Sequence, residues 1–290
     1  MQENHVQCLS PAGLHHMHYT EWGARDNPRV VICVHGLSRN CRDFDALAQA
    51  LTHSPGSDFR VVCPDIVGRG KSDWLTNKAG YVNAQYVADI ITLIARLTSG
   101  GPREIFWVGT SMGGIIGMML AALPHTPIRR LVLNDVGGIV PRAALARIVA
   151  YLGKDPRFAS FKELETCVRT IAASFGPLTD AQWEHLTRHN GKQHPDGQWG
   201  FNYDPGIAAP FHGIALTDVP LWQYYDAIDP VACPTLLLRG ADSDLLLKDT
   251  ALAMTQRGPR AQLVEFAGVG HAPMLMSADQ IAAVSTFLRS

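Results

Sequence analysis

A doubly wound α/β fold with a mostly parallel sheet is predicted by three observations. Short, continuous apolar runs recur along the chain. Helical patterns separate them. One segment of about ninety residues breaks this rhythm, which then resumes. Continuous β-branched runs alternating with helices imply strands buried on both faces, as in a parallel sheet covered by helices. Composition agrees. Of 290 residues, 47% are apolar and 18% charged, too apolar for a disordered chain. Lys plus Arg number 25 and Asp plus Glu 26, with no cationic run, so the basic excess that nucleic acid requires is missing.

The elements follow in order. PRVVICVHG (28–36) and FRVVCPDIVG (59–68) read as strands, with helical spacing in RDFDALAQAL between them. Tyr86–Leu97 is amphipathic with a helical period, EIFWVG (104–109) is the next strand, and RRLVLND (129–135) follows. From about Pro141 to Pro230 helices dominate: PRAALARIVAYLGK, SFKELETCVRTIAASFG, and TDAQWEHLTRH behind a Thr/Asp cap. This segment holds twelve of the 23 Phe, Trp and Tyr residues, which suits either a satellite core or an apolar cover over a cleft. Strands return at PTLLLRG (234–240) and RAQLVEFAG (260–268), with a helix from Lys248 to Gln256 between them and a closing helix in SADQIAAVSTFLR. The expected division is a core of 1–138 with 231–290, interrupted by a helical insertion at 139–230.

Residues 105–128 carry no Asp, Glu, Lys or Arg, so hydropathy alone suggests a membrane helix. GTSMGG sits near the middle of the run, and its glycines and hydroxyl residues argue for strand, turn and buried helix. The N-terminal MQENHVQCLSPAG lacks the cationic start and apolar stretch of a signal peptide. The six cysteines show no metal-type spacing. A reduced, cytoplasmic protein without membrane insertion is expected.

Gly109-Thr110-Ser111-Met112-Gly113 is G-x-S-x-G between an apolar strand and an apolar helix. That setting makes a strained turn that lifts the Ser111 hydroxyl over a helix N-terminus. A serine hydroxyl needs a base. Of twelve histidines, His271 stands just after the last strand in AGVGHAPM, while His35 ends an early strand. The third member is a carboxylate that orients the imidazole. Asp135, Asp242 and Asp244 all follow the C-terminal ends of parallel strands, and pattern alone does not choose among them. His35-Gly36 allows a sharp turn that aims the Leu37 N–H into the cleft. With the Met112 N–H it forms an oxyanion hole, where one donor contributes about 3 kcal/mol to the barrier.

These features together resemble the α/β-hydrolase superfamily: His35-Gly36, the D-x-x-G-x-G-x-S loop from Asp65 to Ser72, the turn at Ser111, and His271 after the last strand. The resemblance runs from about Tyr19 to Phe287 and implies a sheet of about eight strands, with 139–230 as a helical lid. It also bears on the acid. The usual position, three residues past the Gly closing the seventh strand, is Ser243 here, a departure from the pattern. An esterase-like subgroup reading R-G-x-x-S-D-x-L implies Asp244, whereas members with their acid after the sixth strand imply Asp135. Asp244 is the expected acid, with Asp135 and Asp242 as alternatives. The chain is also similar to bacterial cytoplasmic carboxylesterases, some of which act on hydroxyalkanoate oligomers or aliphatic polyesters.

The resemblance implies a serine carboxylesterase for small, mostly apolar esters, using Ser111, His271 and Asp244 with no metal or organic cofactor. C–C bond hydrolysis, lactone opening and perhydrolysis remain alternatives on the same triad, and a ligand-binding receptor with little turnover is a remote one. Haloalkane dehalogenation is disfavoured, since that chemistry places Asp where Ser111 stands. Arg142, Arg147 and His212 are candidates for contacting a polar or carboxylate group of the substrate. Oligomeric state is left open, a homo-oligomer included.

Overall fold

The computed structural model describes residues 1–53 and 59–290. Eight strands form one sheet: β1 (Gln2–Ser10), β2 (Gly13–Trp22), β3 (Arg29–Val34), β4 (Arg60–Pro64), β5 (Glu104–Thr110), β6 (Ile128–Asn134), β7 (Thr235–Gly240) and β8 (Gln262–Phe266). Their spatial order is β1-β2-β4-β3-β5-β6-β7-β8. From β4 to β8 neighbouring strands are parallel, while β2 runs antiparallel to both β1 and β4. The sheet is therefore the expected mostly parallel one of eight strands.

Alternation along each central strand shows why both faces need cover. Val30, Ile32 and Val34 of β3 join one buried cluster, and Val31 and Cys33 join the other. In β5, Ile105 and Trp107 point one way and Phe106 and Val108 the other. Helices α2 (Asn83–Thr98), α3 (Met112–Ala121) and α8 (Lys248–Met254) supply the first cluster with Ile90, Leu93, Ile116 and Met254. On the opposite face, α1 (Asp45–His53) and α9 (Ala278–Arg289) supply Leu47, Leu51, Val284 and Phe287. Each such side chain contributes about 1.5–3 kcal/mol when fully buried, so strand pattern and helix spacing enforce the same layering.

The charge-free run at 105–128 divides into β5, a turn at Ser111, and α3 of ten residues. Among the described residues no helix is long and apolar enough to cross a membrane. Burial between the sheet and its covering helices accounts for its hydropathy.

Between β6 and β7 the chain carries α4 (Arg142–Tyr151), α5 (Phe161–Ile171), α6 (Asp180–Asn190) and the single turn α7 (Trp222–Tyr225). A capping box at Thr179 and Gln182 starts α6. Leu164, Val168, Trp183 and Leu186 of α5 and α6 form a small core of their own that Met274, from the loop after β8, enters. Two short strand pairs also occur here, Gly191–Gln193 with Trp199–Phe201 and Ile139–Val140 with Val219–Pro220. They are brief and half-exposed, so no continuous apolar run announces them.

Candidate active site

Ser111 sits between β5 and α3 with φ 51° and ψ −115°, a left-handed conformation that costs energy for any residue with a Cβ. The neighbouring glycines make the turn fit. A Cβ on Gly109 would meet the Gly113 backbone, and one on Gly113 would strike the Val34 carbonyl. Beneath the turn, buried Trp107 donates its indole N–H to the Gly113 carbonyl at 3.0 Å. Sequence reasoning missed this support, because a tryptophan inside an apolar strand reads simply as core.

His271 follows β8 and approaches from the opposite side. Its Nε2 lies 3.1 Å from Ser111 Oγ, and its Nδ1 lies 2.7 Å from Asp135 Oδ2. Asp135 is fully buried at the end of β6, with φ 55°. Its carboxylate accepts from the Gly240 amide at 2.9 Å and from Ser243 Oγ at 2.5 Å, in addition to the imidazole. Asn134 ties the strands together, donating from Nδ2 to Thr110 Oγ1 at 2.9 Å and to the Pro273 carbonyl at 2.8 Å. The Ser174 hydroxyl, from the inserted segment, donates to the His271 carbonyl at 2.8 Å.

Of the three candidate carboxylates, Asp135 is the one beside His271, not the expected Asp244. Asp244 does not reach His271. It binds Arg147 of α4, accepting from Nε at 2.6 Å and Nη2 at 2.8 Å, in a half-exposed pair. Burial works against the Arg147 charge, but the bonds and charge of Asp244 outweigh it and raise the guanidinium above its ordinary pKa. Asp242 is exposed. The physical reason lies in the loop after β7. Ser243 is the residue that turns inward, and its hydroxyl donates to Asp135, so the two strand ends converge on one point. A serine where a carboxylate is usual leaves that point to Asp135.

Leu37 and Met112 both border the cleft beside Ser111. Among the described residues neither backbone N–H is taken by another protein group. Gly36 packs close to Ser111: a Cβ placed on it would lie 3.7 Å from the serine Cβ. His35 lies behind this loop, fully buried. Its Nδ1 pairs with the Gly36 carbonyl at 2.7 Å and its Nε2 accepts the Ile66 amide at 3.0 Å. Burial pushes its pKa down to about 4. His35 therefore shapes the loop and does not approach Ser111. Arg142 and His212 are exposed and do not border the cleft, whereas Arg147 does.

Three groupings of metal-capable side chains occur among the described residues, and none includes Ser111, Asp135 or His271. Asp45, His185 and His189 meet between α1 and α6, where the Arg42 guanidinium already binds Asp45 and faces His189. Asp65 accepts from the Cys41 and Lys71 amides and pairs with His18, and Asp89 pairs with His15 and Gln85. Each carboxylate has a structural partner that explains its burial.

The sequence profile of the alpha/beta hydrolase family matches residues 31–284. The chain is 49% identical over 290 residues to a 3-hydroxybutyrate-oligomer hydrolase of Cupriavidus necator, covering 97% of this chain and 96% of that protein. Among solved structures, a putative hydrolase from Rickettsia typhi superposes with a TM-score of 0.90 at 30% identity, covering 100% of this chain and 99% of that one. An alpha/beta hydrolase from Novosphingobium aromaticivorans gives 0.85 at 34% identity, covering 99% and 98%.

Proposed function

The chain belongs to the alpha/beta hydrolase family, and from that premise we propose that it is a serine esterase that cleaves short 3-hydroxyalkanoate oligoesters. The observation that carries the reading is the continuous relay from Ser111 through His271 to Asp135, at 3.1 and 2.7 Å, in a cleft. The substrate class follows the relative that is 49% identical to this chain.

In this reading Ser111 Oγ attacks the ester carbonyl while His271 Nε2 takes its proton. Asp135 fixes the tautomer that leaves Nε2 free to accept, and steadies the imidazolium once it forms. The Leu37 and Met112 N–H groups hold the oxyanion, and the N-terminus of α3 adds a favourable dipole. The alkoxide leaves with the proton from His271. Water, deprotonated by the same imidazole, then releases the acid and restores Ser111. Residues 139–230 act as the lid, and the Ser174 contact to the His271 carbonyl couples it to the base. The adjacent, unbonded thiols of Cys33 and Cys63 support a cytoplasmic setting.

Turnover of p-nitrophenyl butyrate and of 3-hydroxybutyrate trimer by wild type and Ser111→Ala is the test. The variant is expected to lose about 10⁴-fold or more in kcat on both. Wild-type-like turnover in Ser111→Ala overturns the reading.

A further inference from the structure

Two arms of the cleft meet at Ser111, and their chemistry differs. One arm encloses about 310 Å³ between α3, α4 and the insertion, past Met112, Val136, Val140 and Phe211. Among the described residues, none bordering it carries a charge. The other arm, about 100 Å³, is bordered by two arginines, Arg39 and Arg147, together with Ser38, Tyr151 and Asn190.

Both arginines are held in place. Asp43 accepts from Arg39 Nε at 2.8 Å and Nη2 at 2.5 Å, as Asp244 does from Arg147. In each pair the carboxylate takes one edge of the guanidinium and leaves Nη1 available for a further acceptor. Arg39 also lies near the nucleophile, since its stem and the Ser111 Cβ flank the same small space beside Gly36. Asp43 and Asp244 each balance one arginine, so the arm offers the outer edges of two paired guanidiniums rather than a net positive charge. Fixed guanidinium forks suit a planar carboxylate. The uncharged arm would impose a heavy desolvation cost on the same group.

Building on the oligoester reading above, we propose that Arg39 and Arg147 bind the free carboxylate of the terminal hydroxyacid, so that the enzyme shortens its substrate from the carboxyl end. The terminal unit is then the leaving alcohol in the charged arm, and the rest of the chain is the acyl group in the apolar arm. Ser111 Oγ bonds to the carbonyl carbon of the penultimate unit, and the bond from that carbon to the terminal unit's oxygen breaks. The departing alkoxide takes the proton held by His271 and leaves as a free hydroxyacid. One water then cleaves the acyl-enzyme and creates a new terminal carboxylate, the same group the charged arm recognises. Asp244 is a positioning residue for Arg147.

The test compares kcat/KM for 3-hydroxybutyrate trimer and its methyl ester, with p-nitrophenyl butyrate as a neutral reference. Wild type is expected to favour the free acid by about tenfold or more, mainly through KM. Arg147→Met and Arg39→Met are each expected to move that ratio towards one. Trimer isotopically labelled in its carboxyl-terminal unit should release the label first as monomer. Equal rates for acid and methyl ester in wild type, an unchanged ratio in the variants, or label retained in the dimer each overturn the proposal. Arg147 is half-exposed, so its variant decides the matter even if Arg39→Met fails to fold. Wild type inert towards all three esters overturns the esterase reading and this proposal with it, whereas turnover of acid and methyl ester at equal rates overturns this proposal alone.

Discussion

Replacing Asp135 by Asn changes one charge at a fully buried position and keeps the shape, including the left-handed backbone that Asn tolerates. When His271 takes the serine proton, the imidazolium faces a carboxylate whose oxygen is 2.7 Å from Nδ1. Two unit charges with centres about 4 Å apart interact by about 4 kcal/mol at an effective dielectric of 20. Losing that stabilisation alone slows the reaction by about 10³-fold. The Asn amide can also donate to Nδ1, which moves the imidazole proton to Nε2, where it faces Ser111 and blocks general-base action. Asp135→Asn is therefore expected to lower kcat on p-nitrophenyl butyrate by about 10³- to 10⁴-fold. Asp244→Asn disturbs only a half-exposed pair with Arg147, of a kind that contributes about 0.2–1 kcal/mol, so its loss on this neutral ester stays within about tenfold. Thermal melts establish that both variants are folded. A larger loss in Asp244→Asn than in Asp135→Asn would refute the assignment.

Three further outcomes are expected. Ser243 Oγ is 2.5 Å from Asp135, so a carboxylate introduced there reaches the same imidazole: Asp135→Asn combined with Ser243→Asp should recover kcat by about tenfold or more over Asp135→Asn, and no recovery counts against the convergence of the two strand ends. His35 has its pKa pushed by burial from 6.5 to about 4, so the unfolded chain binds the extra proton first; stability is complete above pH 6.5 and falls as pH drops towards 4, by on the order of 3 kcal/mol, which urea midpoints measured across that range should show and His35→Gln should flatten. Trp107→Phe removes the indole N–H from the Gly113 carbonyl, and calorimetry should find a loss of about 1–3 kcal/mol and a Tm several degrees lower; an unchanged Tm would show that the turn does not depend on it.

The parallel sheet was legible because strands buried on both faces must be apolar throughout, as VVICV and IFWVG are. The hairpin of β1 and β2 was not, because β1 is mostly exposed and the buried positions of the pair include Cys8, His15 and His18, which give no hydrophobic period. At the site, the turn around Ser111 is written locally, in glycines that a Cβ would not replace. The position of His271 after the last strand is equally local. The choice of carboxylate is not. Asp135, Asp242 and Asp244 all follow strand ends, and what separates them is which side chain the backbone turns inward: φ 55° at Asp135 and an inward Ser243 across the sheet. That information exists only once β6 and β7 are paired.

Ester cleavage through a covalent bond to Ser111 leaves an acyl group on the enzyme during turnover, which rapid-quench mass spectrometry with p-nitrophenyl butyrate detects. A butyryl group is expected on the peptide containing Ser111 in wild type, with neither adduct nor turnover in Ser111→Ala. Turnover that persists in Ser111→Ala, or an adduct on a different residue, would contradict it.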